Sequence, residues 1–151
     1  MVARLTPERF EALCAVDGPT IANASEQCNV RPRVSGYDIR YAFPEFGTML
    51  GYAVACTADS TTEERPPSRS GRVALWEAVA ASPKPTVVAL KDGGTNRRHS
   101  YRTGEVTAAV AKRPGAIGAV SGGGQRDVNE VKELGFQYFT AQKLRERFVG
   151  Y

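Results

Sequence analysis

Apolar positions recur at helical spacing in several stretches of the chain and as short unbroken runs in others. Thr6 followed by Pro7 predicts a helix start, with Phe10, Leu13 and Cys14 on one face. Gly18-Pro19 ends that helix, and a second follows with Ile21, Ala24 and Cys28 on its apolar side. From Val30 to Gly47 the breakers Pro32, Gly36, Pro44 and Gly47 predict irregular chain. Within it, Tyr37, Tyr41, Phe43 and Phe46 read as core or subunit contacts rather than a base-stacking platform. Met49–Thr57 reads as a strand with Val54 and Cys56 inward, and the polar segment Ala58–Gly71 as a loop.

A regular alternation then begins. Arg72–Ala81 is predicted helical through Val73, Trp76 and Ala80, and Thr86–Leu90 is a short buried strand. Gly104–Arg113 is helical through Val106, Ala109 and Val110, and Ala116–Val120 is a second buried strand. Asp127–Leu134 forms a helix aligning Val128, Val131 and Leu134, and Phe136–Thr140 a third strand. The C-terminal KLRERF reads as an exposed helical turn. Strand, helix, strand, helix, strand implies an α/β domain of mostly parallel central strands with helices packed on the sheet. Right-handed crossovers bring the loops Lys91–Thr103 and Ser121–Arg126 to the carboxyl edge of the strands, where open α/β sheets bind ligands.

Composition narrows the class. At 151 residues, 42% hydrophobic and 24% charged, the chain has the size and makeup of one globular domain. No apolar run approaches the roughly 18 residues of a membrane span. Arg4, Glu8 and Arg9 interrupt any signal peptide, so a cytoplasmic location is expected. Cys14, Cys28 and Cys56 are scattered and odd in number, against a disulfide framework or a cysteine-built zinc site. The single histidine, His99, excludes His-pair metal sites and sits beside Arg97 and Arg98 as an exposed loop residue. A net charge of +4 suits small anions as well as nucleic acid and decides nothing alone.

The chemistry concentrates at the predicted edge. Ser121-Gly122-Gly123-Gly124-Gln125-Arg126-Asp127 combines a permissive backbone, a planar guanidinium suited to a carboxylate or phosphate, and a hard oxygen ligand for magnesium or manganese. The amides at the start of Gly104-Glu105-Val106-Thr107 make an anion site, and Glu105 offers a second carboxylate. Together they describe a site for a small carboxylate whose carbonyl a metal polarises. Blander readings stand beside each residue. Asp127 with Glu130 is a D-x-x-E capping pattern, and Glu105 in a first turn suits the helix dipole without any function. Arg126 taken alone reads as a surface arginine, and Lys91 as a solvated lysine rather than a Schiff-base former.

Gly104-Glu105, Ala109, Ala111, Gly115, Gly118, Val120, Gly123 and Arg126-Asp127 resemble the RraA-like family. The likeness continues through Glu133-Leu134-Gly135-Phe136, with an upstream echo in Gly51-Tyr52-Ala53-Val54. It covers residues 104–139 well and most of the chain loosely. That family includes the regulator of ribonuclease activity A and the 4-hydroxy-4-methyl-2-oxoglutarate/4-carboxy-4-hydroxy-2-oxoadipate aldolases. The resemblance implies a swivelling β/β/α-type layered fold, commonly trimeric, and class II aldolase chemistry with Mg²⁺ or Mn²⁺. It further implies that Gly104, Glu105, Val106 and Thr107 hold a pyruvate moiety, that Arg126 binds substrate and that Asp127 ligates the metal. Two positions depart from the family pattern. Gly122 stands where Asp or Asn is usual, and Gln125 where an apolar residue precedes the arginine. Residues 1–151 are expected to form a single RraA-like domain, ending at Tyr151 where family members continue with further strands.

The expected activity is that of a metal-dependent lyase, an aldolase or decarboxylase that releases pyruvate from a 2-oxo acid, with Arg126 and Glu105 as its catalytic residues. Oxaloacetate decarboxylation would be a side activity. The expected state is a homo-oligomer, with no membrane partner and no direct nucleic-acid contact. The rival is a non-catalytic binding protein regulating a ribonuclease or other partner. Phosphate binding by the glycine stretch is weaker, because Asp127 stands where a G-x-G-x-x-G pattern needs its last glycine.

Overall fold

The computed structural model describes residues 4–28, 38–59, 68–94 and 101–143. Helices α1 (Pro7–Cys14) and α2 (Gly18–Gln27) begin at Thr6 and Asp17, whose side chains accept from the backbone N–H groups of Arg9 and Thr20. Neither helix buries a residue. On α2 the expected apolar side is exposed, Ile21 included, and Ala22 and Ser25 are half-buried instead. After β1 (Arg40–Tyr41) and a 3₁₀ turn (Pro44–Phe46) the alternating units follow. They are β2 (Tyr52–Ala58), α3 (Arg69–Ala81), β3 (Thr86–Asp92), β4 (Tyr101–Thr103), α4 (Glu105–Lys112), β5 (Ala116–Gln125), α5 (Val128–Glu133) and β6 (Gln137–Lys143).

The strands form one six-stranded sheet in the order β1-β6-β5-β3-β2, with β4 paired to β5. All pairings are parallel except β1 with β6. The expected α/β arrangement is therefore present. Helices α3, α4 and α5 pack on one face, meeting β2, β5 and β6 respectively. Val79 from α3, Ala108 and Ala111 from α4 and Val131 from α5 close on Val88, Leu90, Ala119 and Tyr138 of the sheet and on Phe136 just before β6. Burying each such side chain contributes roughly 1.5–3 kcal/mol for the larger aliphatics.

Two helices turn a different face to the core than periodicity alone suggests. In α3, Leu75, Trp76 and Val79 pack inward while Val73 and Ala80 are exposed. In α4 the alanines Ala108 and Ala111 meet the sheet, and Val106 is 74% exposed. Small side chains let α4 approach closely, so the bulkier valine faces out. In α5 the expected stripe of Val128, Val131 and Leu134 does pack together.

Strand β5 is the main departure. Ser121–Arg126 was expected to be a strand-to-helix loop, but the strand runs through all three glycines to Gln125. Past the Leu90–Ser121 pair, β4 takes over as neighbour, pairing Tyr101 with Gly124 and Thr103 with Gln125. The new partner satisfies backbone groups that a loop would leave to solvent. The turn into α5 is thereby reduced to Arg126 and Asp127.

Phe43 lies in the core, whereas Tyr41 is 52% exposed and edge-packed on Phe139. On the sheet face away from the helices, Ile39, Ala55, Thr57, Ala89, Lys91 and Val120 line an open groove of about 420 Å³. Tyr37, His99 with its arginine neighbours, and all of KLRERF except Lys143 lie outside the described residues.

Candidate active site

Two chain segments meet at the carboxyl edge of β5: the Arg126-Asp127 turn and the start of α4. The backbone N–H of Arg126 donates to the Thr103 carbonyl at 3.0 Å, which fixes the turn against the strand leading into α4. Asp127 then adopts φ 54°, ψ 46°, the left-handed region, and is the one non-glycine residue with positive φ among the described residues. Aspartate tolerates this region better than most residues, and such conformations cluster at functional sites.

That conformation decides where the carboxylate goes. Asp127 occupies the cap position of α5, yet its side chain makes no bond to that helix. Its Oδ2 instead accepts from the N–H of Glu105 at 3.1 Å, so it caps α4. The D-x-x-E capping box is thus replaced by a long-range cap. A carboxylate at a helix start is favoured by the dipole as well as by the hydrogen bond. The bond engages Oδ2, leaving Oδ1 available to a cation.

Arg126 lies alongside, its Nε 3.8 Å from Asp127 Oδ2 and its side chain 69% exposed. An ion pair this exposed is worth only about 0–1 kcal/mol, so the guanidinium is held loosely and faces solvent. Gly104 sits where the two side chains cross. A Cβ there would collide with Asp127 Oδ2 and come within 3.1 Å of Arg126 Nε. Close approach of the side chains, rather than a special backbone angle, demands glycine at this position.

Of the residues singled out from sequence, Gly104, Glu105, Arg126 and Asp127 are therefore brought together. The Glu105 amide is engaged by Asp127, and its side chain is exposed in the first turn. Val106 is exposed beside it, and Thr107 is half-buried one position further along. The donors suit a hard divalent ion, which takes one or two carboxylates and completes its shell with water. Among the described residues no cluster of three or more His, Cys, Asp or Glu exists, so Asp127 and Glu105 would be the protein's share.

Sequence reading missed a layer of buried polar groups near this edge. Asp92, last in β3, is 7% exposed; its Oδ1 accepts from the Gly94 amide, and Oδ2 has no partner. Gln125, last in β5, is fully buried with both amide atoms unpartnered. Tyr138 is also fully buried, and burial pushes its phenol well above the ordinary value. The neighbouring Thr103 side chain opposes that shift and the Asp127 charge adds to it. A carboxylate ending a buried apolar run and followed by Gly-Gly was a readable signal for Asp92. Tyr138 carried none, since an aromatic in a strand is ordinary core.

The RraA-like sequence profile, described as Aldolase/RraA, matches residues 19–147. The chain belongs to the RraA-like family. Solved structures share the family fold at low identity. A structure described as novel cellulases from microbes associated with the gut ecosystem aligns with TM-score 0.78 and 13% identity, covering 96% of this chain and 64% of that one. An uncharacterized protein from Pseudomonas syringae pv. tomato str. DC3000 aligns with TM-score 0.66 and 16% identity, covering 95% and 60%. Streptomyces coelicolor RraAS2, described as an unusual member of the RNase ES inhibitor RraA protein family, aligns with TM-score 0.60 and 19% identity, covering 100% and 70%. This RraA-like chain thus spans less than two thirds of the length of the first two structures. No curated protein matches it. Among its described residues no helix is long and apolar enough to cross a membrane.

Proposed function

We propose that this RraA-like protein is a divalent-metal-dependent lyase that cleaves a 2-oxo acid and releases pyruvate. The observation that carries the reading is the meeting of Asp127, Arg126 and the α4 start, which sets a hard oxygen donor and a guanidinium against the first residue of that helix. Arg126 pairs with the substrate carboxylate, and the α4 start, Gly104 to Thr107, holds the pyruvate end. Mg²⁺ or Mn²⁺ held by Asp127 would supply Lewis-acid polarisation of the 2-oxo carbonyl. Glu105 orients the water that takes the hydroxyl proton. The carbon–carbon bond then breaks, its electron pair becomes the pyruvate enolate, and the other fragment leaves as a carbonyl compound. With oxaloacetate the leaving fragment is CO₂. Arg126 offsets the charge that develops on the enolate, the kind of work that usually dominates such catalysis.

We place the protein in the cytoplasm as a homotrimer. The open groove on a sheet face that no helix of the described residues covers and the exposed Tyr41 support self-association.

The second reading is a binding protein without catalysis that regulates a ribonuclease or another partner. Its support is the shared fold with RraAS2 and the outward-facing Val106 beside the site. Pyruvate release from oxaloacetate, measured with Mg²⁺ and again with chelator, separates the two. Metal-dependent release supports the lyase. Its absence in a folded protein leaves the regulator.

A further inference from the structure

We infer that the buried hydroxyls of Ser121, Thr140 and Thr103 are positioning groups that hold a one-residue bulge in β5, and that this bulge decides on which face of the sheet Arg126 emerges. The inference rests on the Arg126–Asp127 turn being the functional site. Side chains of a strand alternate between the two faces of its sheet, so a shift of one residue exchanges the faces. Along the first part of β5 the alternation is regular. Ala119 pairs with Tyr138, both in the core under the helices, and Val120 pairs with Phe139 and lines the open groove. Ser121 then pairs with Thr140, but the next pair is Gly124 with Gln142. Three steps along β5 thus match two along β6, and one residue of the Gly122–Gly123 stretch is extra. Beyond it Gly124 takes the helix side, and Gln125, paired with Lys143, the open side. Arg126 follows on the helix side, where its Nε and Cγ lie 3.1 and 3.2 Å from the place a Cβ on Gly104 would occupy. In a strand without the extra residue, Gln125 would turn to the helices and Arg126 to the open face, away from α4.

A bulge takes backbone groups out of the ladder, and a buried group left without a partner is costly. Here side chains from three strands supply the partners. Ser121 Oγ on β5 accepts from the Gly123 N–H at 3.1 Å, and Thr140 Oγ1 on β6 donates to the Gly123 carbonyl. Thr103 Oγ1 on β4 donates to the Gly124 carbonyl at 3.2 Å. The Thr103 carbonyl also accepts from the Arg126 N–H at 3.0 Å, so one threonine grips the chain on both sides of Gln125. All three hydroxyl residues are buried, at 3%, 2% and 0% exposure for Ser121, Thr140 and Thr103. Valine has the shape of threonine without the donor, so packing alone does not call for a hydroxyl at position 103 or 140. Satisfying the extra turn of backbone does.

The test is Thr140→Val, with Thr103→Val beside it in case one of the two folds poorly. Amide hydrogen exchange at Arg126 and Glu105 should accelerate severalfold, because a slipped β5 draws the turn away from the Thr103 carbonyl and Asp127 Oδ2 away from α4. Exchange at Val54 and Val88, in the β2–β3 ladder, should not change. The kcat for metal-dependent pyruvate release should fall roughly 10²-fold, the scale of a misplacement of about 1 Å. Thr140→Ser and Thr103→Ser keep the donor and should behave as the parent protein does. Unchanged exchange at Arg126 and Glu105 in the valine variants, or an equal rise at Val54 and Val88, would overturn the inference. So would serine variants that behave as the valine ones do. A parent protein that releases no pyruvate would defeat the lyase reading alone, since the exchange measurement needs no substrate.

Discussion

The carboxylate of Asp127 caps a helix that starts 22 residues earlier in the chain, through its 3.1 Å contact with the Glu105 amide. One side chain thereby joins the two segments that carry the candidate chemistry. Replacing it separates structural from functional roles. Asp127→Asn keeps both tolerance of the left-handed conformation and an acceptor for the Glu105 amide, so stability should stay within about 0.5 kcal/mol. Asp127→Ala should lose roughly 1–2 kcal/mol through the strained backbone and the missing cap. If Asp127 ligates the metal, Mg²⁺ or Mn²⁺ should raise the melting temperature of the parent protein, and both variants should abolish that rise. An undiminished rise in either variant would leave Asp127 as a cap only.

Arg126→Lys preserves charge but exchanges a planar fork for a point charge. With the side chain 69% exposed, the melting temperature should barely move. Metal-dependent pyruvate release should fall roughly 10²–10³-fold, the scale of losing one oxyanion donor. Full activity in the lysine variant would remove Arg126 from the mechanism.

Two glycines of β5 should respond oppositely to alanine. At Gly118 a new Cβ would meet Met49 Sδ and the Gln137 carbonyl, and the backbone oxygen belongs to the neighbouring strand and cannot yield. Gly118→Ala should cost about 1–3 kcal/mol or more in denaturant melts. Gly122 has nothing within 4 Å of that position, and its φ is not in the left-handed region. Gly122→Ala should therefore be tolerated, as expected for strand. A large loss there would argue for the tight loop instead.

Acid should loosen the start of α2. The Thr20 hydroxyl and the Thr20 backbone N–H (2.9 Å) both favour the ionised Asp17 carboxylate, which lowers its pKa from the ordinary 3.8. A lowered folded value contributes stability that is present above pH 3.8 and lost as pH falls through the folded pKa. An NMR titration should show the α2 resonances shifting in that range. Asp17→Asn, still a good cap, should flatten the titration; an unaltered curve would assign the transition to another group.

Local pattern alone determined the succession of strands and helices from Thr86 onward apart from β4, which falls in a segment that reads as loop, together with the Val128–Val131–Leu134 stripe and the presence of Arg126-Asp127 at a strand's carboxyl edge. These rest on residues close in sequence, whose spacing carries the information. The buried faces of α3 and α4 were decided by tertiary packing, because helices rich in alanine and valine are apolar on more than one side. The length of β5 was decided by β4, a partner about 22 residues away in sequence that pairs with Gly124 and Gln125. The destination of the Asp127 carboxylate was decided by a left-handed backbone angle that aims it at α4 rather than at its own helix. The full burial of Tyr138 was likewise invisible in the chain, since only the folded sheet closes the core over it. Each of these depends on contacts between segments distant in sequence, which no local periodicity encodes.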